Sequence, residues 1–185
     1  MGVYIYRMVV LAGASASGKT EVAKLLAKKY NITKIVTTTT REKRKGEVDG
    51  VDYFFVDKKT FERMIQDGKF VEYTLYNGNM YGSTKDQIAN NKCVVIDPAG
   101  LRSYIGLNNP SIITFYLEAD EATRYQRMVN RGDDKEKIES RIRNDRETFK
   151  KENIAKVDYV IDSSINRSVE QVTDEIYKIY SSLQK

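Results

Sequence analysis

Met8-Val-Val-Leu-Ala-Gly13-Ala-Ser-Ala-Ser-Gly18-Lys19-Thr20 passes from an apolar run into a glycine-rich octet, after which Val22, Leu25 and Leu26 recur at helical spacing. The octet fits G-x-x-x-x-G-K-[ST], and a strand before it with a helix after it is the context that this phosphate-loop pattern requires. By chance the pattern arises in roughly one chain in a hundred of this length, before that context is demanded. Gly13 and Gly18 let the backbone curl, so that N–H groups across Gly13, Ala14, Ser15, Ala16, Ser17, Gly18, Lys19 and Thr20 face phosphate oxygens at a positive helix end. In such a loop Lys19 bridges the β- and γ-phosphates and the Thr20 hydroxyl ligates Mg²⁺. The plainer alternative is a glycine-rich strand-to-helix turn.

Further apolar runs, Lys34–Val36, Cys93–Ile96, Ile112–Leu117 and Tyr159–Ile161, are short and rich in Val and Ile. Runs of this kind suit strands buried on both faces of a parallel sheet. Between them lie helical patterns: Leu101, Tyr104 and Ile105; Ala122, Tyr125, Met128 and Val129; and Val169, Val172, Ile176, Ile179, Tyr180 and Leu183. Ser168-Val-Glu-Gln171 fits a capping box at the start of the last helix. Alternating β and α predicts an α/β domain with a mostly parallel sheet. Two stretches break the alternation. From Thr37 to Ser83 the pattern is a strand over Asp52–Val56, a short helix with Phe61, Met64 and Ile65, and a hairpin, Phe70–Tyr76 and Asn79–Tyr81, around Asn77-Gly78. Asp120–Asn153 is very polar and holds six of the chain's 12 arginines.

The chain has 185 residues, enough for one domain with a sizeable core, at 41% hydrophobic and 31% charged. No run approaches the roughly 20 apolar residues that span a bilayer, and none reads as a signal peptide. With no histidine and Cys93 alone, a Ser-His-Asp triad, a structural zinc site and an internal disulfide are all excluded, which suits a reducing, cytoplasmic setting. The net charge of +5 suggests an anionic partner. Cys93-Val-Val-Ile-Asp97 ends a strand in a carboxylate, which in P-loop proteins lies beside the metal and otherwise caps a helix or turn.

Thr37-Thr-Thr-Thr-Arg41-Glu-Lys-Arg44, Asp52-Tyr53-Phe-Phe-Val, Phe70-Val-Glu72-Tyr and Gly78-Asn-Met-Tyr81-Gly-Ser83-Thr, together with the octet, resemble the guanylate kinase family, and the likeness extends more loosely over nearly the whole chain. The resemblance implies a P-loop NTPase-type three-layer α/β/α fold with a parallel core sheet (1–36, 84–119 and 154–185). It also implies a small β-rich NMP-binding insert (37–83) and a helical lid (120–153). The implied activity is direct, Mg²⁺-dependent transfer of the γ-phosphate of ATP to GMP or dGMP. Arg41, Arg44, Tyr53 and Tyr81 match the residues that hold the acceptor phosphate, and Thr37, Glu72 and Ser83 match those that read guanine. A carboxylate at Glu72 accepts from guanine N1–H and the 2-amino group together, whereas adenine leaves it underpaired. Two guanidinium groups and two phenols suit a phosphate dianion. Arg127, Arg131 and Arg141 match the arginines that close over the transferring phosphate, neutralising charge while closure excludes water. Asp97 joins Thr20 at the metal and the acceptor. The plainer readings are a solvated charge run at Arg41–Lys45, sheet packing by the two tyrosines, and an Arg141–Asp145 pair at i, i+4.

The chain departs from the family pattern at Val95, where an acid is usual, at Pro98 after Asp97, at Lys43, at Met80, and in a helix between Ser83 and Cys93 about six residues shorter. Asp162 falls where an asparagine near the adenine is common. The competing readings are a P-loop kinase for another phosphorylated acceptor, which retention of both base readers disfavours for a sugar, and a binding module, which the intact Lys19 and Thr20 disfavour. Nucleic-acid binding has no motif here. The expected partners are small nucleotides, with the protein off the membrane and a monomer or homodimer.

Overall fold

The computed structural model describes residues 7–76 and 78–183. Five parallel strands form the core: β1 (Met8–Ala12), β2 (Thr33–Lys34), β7 (Lys92–Val95), β8 (Ile112–Glu118) and β9 (Tyr159–Asp162), in the spatial order β2-β7-β1-β8-β9. Strand periodicity divides β1 between two cores. Val9 and Leu11 face α1 (Lys19–Tyr30) and α6 (Val169–Ser182), packing with Leu26, Phe115, Ile176 and Tyr180. Met8, Val10 and Ala12 face the opposite side, against Leu101 and Tyr104 of α3 (Pro98–Gly106). Each fully buried aliphatic or aromatic side chain of this kind contributes roughly 1.5–3 kcal/mol. Sheet and helices therefore form three layers, as the alternation of patterns predicts.

Helix boundaries follow local chemistry. Asn31 stops α1 in the left-handed conformation at φ 54°. Ser168 and Gln171 complete the expected capping box, with Ser168 Oγ accepting from the Gln171 N–H at 3.2 Å and Gln171 Oε1 accepting from the Ser168 N–H at 2.9 Å. Asp97, Asp120 and Asp134 cap α3, α4 (Glu121–Asn130) and α5 (Lys135–Thr148).

A second sheet, in the order β4-β3-β6-β5, is built from β3 (Thr38–Thr39), β4 (Phe54–Phe55), β5 (Phe70–Tyr76) and β6 (Asn79–Thr84), with α2 (Lys58–Gln66) between β4 and β5. The strand expected over Asp52–Val56 shrinks to two residues, and the second hairpin strand runs on to Thr84. Asn77 lies outside the described residues, while Gly78 has the positive φ, 76°, that the expected turn requires. Where the resemblance implies a shortened helix after Ser83, there is only a 3₁₀ turn over Lys85–Gln87.

In α4 the apolar spacing misleads. Ala122, Tyr125 and Val129 are exposed, and the buried face is Thr123, Arg124 and Met128. Met128 packs with Ile138 and Ile142 of α5 and with Ala16. The next buried residue on the same face of α5 is Asp145. No helix among the described residues is long and apolar enough to cross a membrane.

Candidate active site

The phosphate loop joins β1 to α1. Gly13 has φ 149°, and a Cβ there would lie 2.6 Å from the Leu117 carbonyl oxygen, so no side chain fits. Gly18 caps α1 at φ 97° without a side-chain cap bond, which leaves the first-turn N–H groups facing outward for an anion. Lys19 Nζ donates back to the carbonyls of Gly13 (2.6 Å) and Ala14 (2.8 Å). Burial lowers its pKa to about 8, with Asp145 pulling it up and Arg124 adding to the fall.

Two cavities meet at Lys19. The first, of about 500 Å³, has Gly18, Lys19 and Thr20 at one end, Arg127 and Arg131 along one side, and Ile165, Val169 and Val172 as an apolar wall. Charged groups beside the loop and an apolar wall beyond suit a nucleotide's phosphates and base. Arg127 donates to the Ala16 carbonyl at 3.3 Å and the Ser164 carbonyl at 3.2 Å, and desolvation lowers its pKa. The second cavity, of about 810 Å³, runs from Gly13, Ser15 and Lys19 past Asp97 and Asp145 to Glu72. Glu72 accepts a short hydrogen bond from Ser83 Oγ, so the two positions expected to read the base form one unit on paired strands. Tyr104 is buried beside that pair, and desolvation pushes its phenol up to about 12.

The residues expected to hold the acceptor phosphate cluster away from this cavity's lining. Arg41 lies 5.4 Å from the Tyr53 ring centroid, and the Tyr53 and Tyr81 rings are 6.0 Å apart, edge to face. Glu47 lies among them. Its Oε1 accepts from Arg41 at 2.6 Å, its Oε2 accepts from the Arg44 N–H at 2.8 Å, and both contacts hold its pKa below the usual range. Thr37 precedes β3, its carbonyl accepting from the Phe54 N–H, and is absent from the lining of the cavity that Glu72 enters.

Three residues singled out in the sequence make contacts of their own here. Asp97 ends its strand as a helix cap, with Oδ1 accepting from the Gly100 N–H at 2.8 Å, although its exposed carboxylate also borders the second cavity. Arg141 bonds Asp133 at 3.3 Å, and Arg131 bonds the same carboxylate, but unlike Arg131, Arg141 lines neither of the two cavities that meet at Lys19. Asp145 pairs with Arg124 at 2.7 Å, not with Arg141. Sequence reasoning also missed Ser163, whose Oγ donates to the Ser17 carbonyl at 2.8 Å and steadies the loop from the end of β9. No local pattern marks either contact, because the partners lie 21 residues apart in one case and 146 in the other.

The chemistry of the donor set fits Mg²⁺. Thr20 offers an exposed hydroxyl and Asp97 an exposed carboxylate, while no group of three or more acidic or thiol ligands occurs among the described residues. Mg²⁺ keeps several waters and binds one or two protein oxygens plus phosphates, so it suits arrival with a nucleotide.

Fold and site together define a P-loop nucleoside monophosphate kinase, a phosphate loop feeding one cavity on each side of its lysine. A family model described as guanylate kinase matches residues 5–179. The chain is 33% identical to the guanylate kinase of Anaplasma phagocytophilum, over 96% of this chain and 87% of that protein. It is 34% identical to the guanylate kinase of Clostridioides difficile, over 95% and 87%. The crystal structure of the Anaplasma guanylate kinase superposes with a TM-score of 0.66 at 25% identity, covering 98% of this chain and 88% of that one. The chain belongs to the guanylate kinase family.

Proposed function

We propose that the protein moves the γ-phosphate of ATP to GMP, giving ADP and GDP, with ATP in the cavity beside Thr20 and Arg127 and GMP in the cavity beside Glu72. The observation that carries this reading is that Lys19 lines both cavities, so one ammonium reaches the point where donor and acceptor phosphates meet. Catalysis is positioning plus charge neutralisation, because the acceptor phosphate is already an anion and needs no general base. Lys19 leaves the Gly13 and Ala14 carbonyls for the β/γ-phosphates, and the Gly18–Thr20 backbone holds the β-phosphate. Arg127 and Arg131 balance charge on the transferring oxygens. Thr20, with Asp97 on the acceptor side, would hold Mg²⁺, which when bound neutralises and orients the phosphates.

Glu72 and Ser83 read guanine, and Arg41, Arg44, Tyr53 and Tyr81 take the acceptor phosphate once it displaces Glu47. Thr37 and Arg141 complete the two groups on resemblance alone. Residues 37–83 act as the acceptor insert and 120–153 as the lid. The reading includes a cytoplasmic site of action, with which a single free cysteine, Cys93, is compatible. A coupled assay of ADP release over GMP, dGMP, AMP and ribose 5-phosphate tests it. GMP should exceed AMP by roughly 10⁴-fold in kcat/KM, because a site built for hydrogen bonds rejects an analogue that leaves them unmade. Comparable use of AMP overturns the guanine assignment, and no turnover with any acceptor overturns the kinase reading.

A further inference from the structure

The buried Arg124–Asp145 pair has no part in the scheme above, yet it touches the phosphate loop directly. Asp145, on α5, is 8% exposed and Arg124, on α4, is 7% exposed. Asp145 Oδ2 accepts from the Ser15 N–H at 2.9 Å and from Arg124 at 2.7 Å, and Oδ1 accepts from Ser15 Oγ at 3.1 Å. Arg124 also donates weakly to the Ser15 carbonyl, at 3.5 Å, and to the Ala119 carbonyl, at 3.3 Å.

The Ser15 N–H and the Ala14 carbonyl belong to one peptide unit and point in opposite directions. Asp145 grips the N–H end, and Lys19 grips the carbonyl end at 2.8 Å. One rigid plane in the loop is thus held between a lid-helix carboxylate and the lysine that meets the nucleotide. The next residue, Ala16, has φ 59°, a conformation costly for any residue with a Cβ. It is kept there by packing on Met128, Ile138 and Ile142 of the same two helices.

We propose that Asp145 is a positioning residue for the donor site: by fixing the Ala14–Ser15 peptide it holds the phosphate loop in its anion-binding shape and ties α4 and α5 to it. Arg124 balances the buried charge, and either partner left alone is an uncompensated ion. When Lys19 swings to the incoming phosphates it releases the Ala14 carbonyl, and Asp145 then keeps the plane from turning. The inference rests on the reading of Gly13–Thr20 as the ATP site.

The test compares two neutral double variants, so that neither leaves a buried charge. R124M/D145N keeps an amide oxygen to accept from the Ser15 N–H, whereas R124M/D145A leaves no side-chain acceptor at either position. R124M/D145N should keep KM for ATP within about threefold of the parent. R124M/D145A should raise it about tenfold or more, with KM for GMP little changed, the scale expected when a buried polar group loses its partner. R124L/D145N and R124L/D145A repeat the comparison, should the methionine pair not fold. Equal KM for ATP in the two arms overturns the proposal, as does a loss confined to KM for GMP, which would make Asp145 an acceptor contact. A parent protein that turns over no ATP with GMP sinks the kinase reading instead.

Discussion

Lys19 combines burial with a charge that phosphate needs, so its pKa of about 8 has a consequence for binding. Bound phosphate favours the ammonium and raises that pKa, which links ATP affinity to proton uptake. Below pH 8 the charge is already present and affinity should be level. As pH rises through 8 the free protein loses the proton, and affinity should weaken about tenfold by pH 9. Equilibrium titrations between pH 7.5 and 9.5 measure this. Lys19→Arg stays charged throughout and should flatten the slope; an equally level profile in the parent would count against the depressed pKa. At the other end of the site, Glu72→Gln replaces one acceptor oxygen with a donor facing guanine's own donors. It should cut kcat/KM for GMP roughly 100-fold or more while KM for ATP stays within about twofold, in the same coupled assay. The loop was legible in the sequence because its meaning is local: eight consecutive residues carry the turn, the helix end and the lysine. Glu72 and Ser83 were legible only through resemblance, since nothing in a strand's spacing announces a base. Asp145 was not legible, because its partners, Ser15 and Arg124, are brought to it by the fold.

At the scale of elements, α4 and α5 behave differently at their two ends. Their inner ends pack Met128, Ile138 and Ile142 onto Ala16 and bind Ser15 through Asp145. The outer turn between the two helices carries Arg131 and Asp133, and Arg141, on the exposed side of α5, reaches the same Asp133; both arginines are about half exposed. Hydrogen exchange without nucleotide should therefore be slow around Arg124–Met128 and Ile142–Asp145 and fast over Arg131–Asp134. Only the outer turn should slow when ATP and GMP analogues bind together, since its ion pairs lie near solvent and are individually weak. Uniformly fast exchange from Asp120 to Asn153 would show that the whole pair opens. Met128→Ala should cost about 2–5 kcal/mol in denaturant unfolding, with part of the loss felt in ATP affinity through Ala16. Sequence periodicity found α4 but turned it the wrong way, and α5 was expected only within the helical lid that the resemblance implies. Tyr125 and Val129 supply apolar spacing on the exposed side, while the buried side holds Thr123 and Arg124, whose polarity hides it. The central strands β1 and β8 were easier to read, because burial on both faces leaves little polar side to compete, whereas the edge strand expected over Lys34–Val36 covers Thr33–Lys34.

Across the whole molecule, the proposed acceptor groups share the second sheet but face different surroundings. Glu72 lines the cavity that reaches Lys19, whereas Arg41, Tyr53 and Tyr81 cluster outside that lining, with Glu47 on Arg41. If GMP is held by both groups, its phosphate must still approach Lys19 for transfer. Binding is then expected to draw the second sheet towards the phosphate loop and to exchange the Arg41–Glu47 contact for Arg41–phosphate contacts. Such closure is thermodynamically driven only by contacts unavailable in the open form. GMP should therefore reduce the radius of gyration in solution scattering, while guanosine, which lacks the phosphate, should not. Arg41→Ala should bind GMP more weakly and abolish the contraction even at saturating nucleotide. A molecule joining adenosine to guanosine through a chain of phosphates should span Lys19, contract the protein further, and raise Tm more than ATP or GMP alone at matched concentration, because one ligand gains both sets of contacts. If it raises Tm no more than ATP does, the two cavities do not serve one reaction.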